Sequence, residues 1–234
     1  MVVIRATVVC PHPPLLFREL AGSEDAALEL RVACRDALSD VLAPAPDVVV
    51  LVGGAEQSAV WPPATPPGPE GFGRAGRPTA GLPLSLGVGR RLLDEVGWDR
   101  SVELRSVGWD APADQVRRHA DELAGRDEDI VLLVLGDGSA RRGEKAPGYV
   151  DPRAFDFDEE TRRALAEGDP AALLRQDPGL AEQLMAGGRA AFQVMAAAVQ
   201  AEGGALTPRL HYSDDPFGVM YFVATWQQLS RGCR

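Results

Sequence analysis

A chain of 234 residues with 45% hydrophobic and 25% charged residues has the composition of a globular protein and enough apolar content for a sizeable core. Its net charge of −10 argues against the concentrated basic face that nucleic-acid phosphates require. No apolar run approaches the roughly 20 residues that span a bilayer, so neither a nucleic acid nor a membrane is expected as a partner.

The opening stretch MVVIRATVVC lacks the basic region, apolar core and small-residue cleavage site of a signal peptide, which predicts a cytoplasmic location. Residues 3–10 are β-branched and apolar and read as a buried strand. Residues 24–42 carry Ala27, Leu30, Cys34, Ala37, Leu38 and Val41 near helical spacing, with Ser23 placed to cap them. Residues 47–54, DVVVLVGG, form a continuous apolar run of the kind buried on both sheet faces. Residues 62–81 are dense in proline and glycine and predict an irregular, mobile loop near the mouth of any site. Beyond it, helices are expected over 85–98, 112–125, 156–168 and 178–203. Strands are expected over 102–109, 129–139, 205–213 and 219–226. Strand-helix alternation with short connections predicts one α/β domain over 1–234, a sandwich with a central mixed, mostly parallel sheet and helices on both faces. The abundance of Ala, Arg, Gly and Pro resembles a bacterial coding bias. Cys10, Cys34 and Cys233 are scattered, with no paired spacing that would suggest a disulfide framework or a zinc knuckle.

Open α/β sheets bind ligands beyond the carboxyl ends of their strands. Three such ends are predicted to converge, at His12, at 53–57 and at 136–140. His12 lies between prolines in CPHPP, which deny it helix geometry and suit a metal ligand, a general base or a turn histidine bonded to backbone. Glu56 is the only charged group of the turn after the second strand. GDGSA at 136–140 has glycines that open backbone amides to an anion but lacks the lysine of a P-loop, and Asp137 and Ser139 both have turn-forming roles open to them. His119 reads as a surface helix residue. His211 lies near Asp214 and Asp215 and reads as a core-edge or pocket residue.

Three segments, in order, resemble the class III extradiol ring-cleaving dioxygenase superfamily, which includes the Memo-like proteins. CPHPPLL at 10–16 is similar to the N-terminal motif that carries an iron-ligating histidine. GDGSARRGEKAPGYVDPRAFDFDEETRRAL at 136–165 resembles a segment of the form G-D-L-S-H-R followed by A-P-x-G-Y-D-P-R and then x-x-F-D. YSDDPFGVMYFVA at 212–224 resembles a Y-E-G-P-F-G-V-G-Y motif that supplies a carboxylate ligand.

The resemblance implies an extradiol dioxygenase-like fold and a pocket lined by His12, Ala55, Glu56, Asp137, Ser139, Ala140 and His211. It places Ala55 where the family has a second iron-ligating histidine and Ala140 where it has a proposed acid/base histidine. His12 and Asp214 remain as metal ligands for a weakened divalent site of iron or zinc, the carboxylate position falling on Asp214 counted back from Pro216 or on Ser213 counted forward from Tyr212. The expectation is a degenerate member without ring-cleaving activity that binds a small-molecule ligand, with a homo-oligomer as an open possibility. Two alternatives stay open. One is a metal-dependent oxygenase or hydrolase that recruits Glu56 or His211, and the other is a protein-interaction module.

Overall fold

The computed structural model describes residues 4–17, 27–66, 81–144, 146–203 and 205–228. The strands are β1 (Ile4–Cys10), β2 (Val48–Ala55), β3 (Ala59–Trp61), β4 (Ser101–Gly108), β5 (Ile130–Leu135), β6 (Thr207–Asp214) and β7 (Tyr221–Gln227). They form one seven-stranded sheet in the order β3-β4-β2-β5-β1-β7-β6. The central four, β4, β2, β5 and β1, are mutually parallel, and β3, β7 and β6 add antiparallel ladders at the two sides. Because β7 opposes β1 and β6 opposes β7, the end of β6 and the start of β7 fall on the same edge as the carboxyl ends of the parallel strands.

The helices are α1 (Leu28–Leu42), α2 (Leu84–Glu95), α3 (Ala113–Leu123), α4 (Arg153–Glu167), α5 (Pro170–Leu174), α6 (Pro178–Gln183) and α7 (Arg189–Glu202). They cover both faces, and the pleat divides the apolar residues between them. Val48, Val50, Val52, Ile130, Leu132 and Val134 share one core with α3 and α7. Val49, Leu51, Val131, Leu133 and Leu135 share the other with α1 and α2. This is why β2 and β5 read as unbroken apolar runs: a strand with helices on both sides has no polar face. A register shift between Ile4 and Ala6 moves the start of β1 from one core to the other. The chain is a single α/β sandwich with a mixed sheet. Among the described residues, no helix is long and apolar enough to cross a membrane.

Four elements differ from the sequence reading. The helix expected over 178–203 is two helices. Met185 takes a left-handed backbone with φ 54°, which ends the first, and Gly187 and Gly188 carry the chain into α7. Asp177 caps α6 through the Leu180 N–H at 2.7 Å, so the run has its own start signal as well as a break. The three-residue β3 and the five-residue α5 were not anticipated, being too short to show a period. The strand expected over 129–139 stops at Leu135: Gly136 still bonds Cys10 O, and from Gly138 onward the chain bonds Met220 and Leu184 instead.

The proposed Ser23 cap, Cys233 and residues 67–80 of the proline-rich loop lie outside the described residues. The base of that loop is closed by the Leu82 N–H donating to Pro66 O at 3.1 Å.

Candidate functional site

The site is built where β1, β5, β2 and the turn before α7 meet. The Gly136 N–H donates to Cys10 O at 3.0 Å, which brings the chain beyond β5 alongside the chain beyond β1. His12 and Asp137 follow immediately. Asp137 Oδ1 accepts the His12 backbone N–H at 2.8 Å and stands 3.6 Å from His12 Nδ1. Both side chains are largely buried, at 12% and 16% exposure. His12 Nδ1 is fully enclosed and has no hydrogen-bond partner among the described residues, and the Asp137 carboxyl faces it at 3.6 Å. Burial pushes the Asp137 carboxyl above the usual carboxylate range, against the opposing pull of His12. The Tyr221 phenol is raised in turn by burial and then by the nearby Asp137.

Glycine backbone closes the other side of the imidazole. A Cβ on Gly187 would lie 3.7 Å from His12 Cε1 and 3.8 Å from Nε2. Gly188 donates its N–H to Asp137 O at 2.8 Å. A Cβ on Gly54 would come within 2.7 Å of Gly187 O and 2.8 Å of the Trp109 indole, so only glycine lets β2 approach this turn so closely. Trp109, half exposed, is fixed by its N–H to Ala55 O at 3.0 Å. The buried Arg189 holds the same turn from below, donating to Trp109 O, to Ala111 O at 2.8 Å and to Gln193 Oε1 at 3.0 Å. Desolvation lowers its guanidinium pKa. Sequence reasoning missed Gly187, Gly188 and Arg189. The Gly-Gly pair inside an otherwise apolar helical run was the available signal.

Residues 138–142 continue from Asp137 along the start of β7. The Gly138 N–H donates to Met220 O at 2.8 Å, the Met220 N–H to Ser139 O at 2.9 Å, and the Ala140 N–H to Leu184 O at 3.0 Å. Ser139 is fully buried and gives both its N–H, at 2.8 Å, and its hydroxyl to Asp158. Arg142 joins Asp158 at 3.3 Å to Asp215 at 2.5 Å and lies 4.5 Å over the Phe155 ring. Burial raises the Asp158 carboxyl, while Ser139 and Arg142 draw it back down. Ser139 is therefore part of a clamp that fixes the strip, with no free hydroxyl to offer a ligand.

The expected pocket residues do not all meet. His12 and Asp137 are joined directly, Gly187 bridges them to the Gly54–Ala55 end of β2, and Ser139 and Ala140 follow on. Ala55 and Ala140 are buried, at 6% and 7% exposure, whereas Glu56 is exposed beyond β2. His211 sits well below the strand ends. Its Nε2 pairs with Thr225 Oγ1 at 2.9 Å, and Thr225 is level with Val8 in the middle of β1. The register shift between Leu210 and Tyr212 falls at His211, whose ring lines a hollow of about 460 Å³ with Asp36, Ser39, Asp40 and Arg209. Burial lowers its pKa, as it does for the half-buried His119. Asp214 lies at the correct edge of the sheet but is exposed. It lines a second hollow, of about 330 Å³, with Leu28, Tyr212 and Phe217.

The residues present do not fit a two-histidine, one-carboxylate iron centre. Among the described residues, no group of three histidine, cysteine or acidic side chains stands close enough to hold a metal ion.

No family model matches this chain, and no curated protein matches it. Among solved structures, it is similar to the crystal structure of the uncharacterized protein JW3007 from Escherichia coli K12. The two are 17% identical, the match covers 96% of this chain and 100% of that one, and the TM-score is 0.56. At that identity the likeness establishes a common fold and carries no activity across.

Proposed function

We propose that this chain is a degenerate relative of the extradiol dioxygenases, one that has lost ring cleavage and holds a small-molecule ligand beside His12. The observation that carries the reading is the residue set at and beyond the carboxyl ends of the parallel strands. The imidazole is backed by the buried Asp137 and faced by the Gly187 backbone. Alanines stand at 55 and 140, the two positions where the resemblance calls for histidine. A methyl group neither coordinates iron nor transfers a proton, and loss of a positioned acid or base alone costs about 10²- to 10⁴-fold in rate.

In this reading Asp137 fixes the imidazole. Its carboxyl oxygen faces Nδ1 at 3.6 Å, which favours the tautomer with the proton on Nδ1 and leaves Nε2 as an acceptor beside Gly187. A ligand that presents a hydroxyl or N–H donor matches that surface.

The test is oxygen uptake with catechol and protocatechuate, with and without added iron(II), for the wild type and His12→Ala. No iron-dependent uptake is expected from either protein. Iron-dependent turnover by the wild type that His12→Ala abolishes would overturn the reading in favour of a rearranged, working metal centre. Ligand binding is followed separately through the His12 ring resonances. A screen of small phenols, alcohols and amides that moves none of them would sink the binding half of the proposal.

A further inference from the structure

We draw no further inference here: the strongest candidate, the side-chain cluster of Cys10 and Cys34 buried between β1 and α1, carries nothing because both thiols are buried in the core and burial pushes the Cys34 thiol up, away from the thiolate that oxidation or metal binding requires.

Discussion

One carboxylate oxygen of Asp137 accepts the backbone N–H of His12 at 2.8 Å and faces its ring Nδ1 at 3.6 Å. The same contact therefore fixes the path of the chain after β1 and the orientation of the only histidine at the carboxyl edge of the parallel strands. Gly188 bonds the carbonyl of that aspartate, so the turn before α7 is tied to the pair as well. Strand ends, glycine turn and imidazole form one unit, and changes to any of them are expected to be felt by the others.

Asp137 gives stability a dependence on pH that can be read directly. Burial raises its carboxyl above the unfolded value of 3.8, so the folded chain binds this proton more tightly than the unfolded chain. Its contribution is most favourable below the unfolded pKa and is lost as pH rises through the folded one. Asp137→Asn keeps an oxygen for the His12 N–H and is expected to abolish that loss. Asp137→Ala strands the His12 N–H and is expected to cost about 1–3 kcal/mol where the carboxyl is protonated, and less as pH rises through its folded pKa. Urea unfolding of the three proteins across the acid-to-neutral range checks both. A wild type whose slope matches that of Asp137→Asn would show that the buried carboxyl is not perturbed.

Two glycines at the site differ in what they tolerate. Gly54→Ala places a methyl 2.7 Å from Gly187 O, a backbone atom that cannot swing aside, whereas Gly187→Ala meets the His12 ring at ordinary contact distance. Gly54→Ala is expected to destabilise by about 1–3 kcal/mol through overpacking, and Gly187→Ala by much less. Thermal melts of the pair decide the matter. Equal losses would mean that the turn before α7 is not held against β2 as described.

His211 and His119 are both expected to titrate below the ordinary histidine value of 6.5, because desolvation is the largest influence on each. A histidine with a depressed folded pKa favours the folded state fully above 6.5 and loses that contribution as pH falls. Ring-proton NMR titration reads the two midpoints. A His211 midpoint above 6.5 would mean that Asp36 and Asp40 outweigh burial in its hollow.

Much of the architecture was legible because burial on both faces leaves a plain record. The apolar runs of β2 and β5 can be satisfied only between two helical layers, and both strands lie there. His12 and Asp137 were legible for a related reason: proline and glycine mark the abrupt end of a strand, and strand ends of a parallel sheet share an edge. The turn at 184–188 was not, since the Gly187–Gly188 pair alone does not place it and its decisive feature is the backbone conformation of Met185. The placement of His211 was hidden for another reason. Its height on the sheet depends on a ladder shift that no local pattern encodes. Asp214 illustrates a third limit, because its position on the correct edge does not fix which hollow its side chain lines.

The final prediction concerns the two alanines. If Ala55 and Ala140 stand where ligating or proton-transferring histidines would stand, Ala55→His with Ala140→His returns two imidazoles to the neighbourhood of His12, and imidazole suits divalent iron and cobalt. Both positions are buried, and the Ala140 N–H is committed to Leu184 O, so the larger rings must displace neighbours. The double variant is therefore expected to lose about 1–3 kcal/mol of stability from overpacking. It is also expected to bind cobalt(II) more tightly than the wild type, seen as new visible absorbance and a melting temperature that rises further with added metal. His12→Ala in the same background should remove that gain. A double variant that folds, keeps His12 and shows no metal response would mean that positions 55 and 140 do not face the imidazole, and with that the proposed kinship of this site to an iron centre would fall.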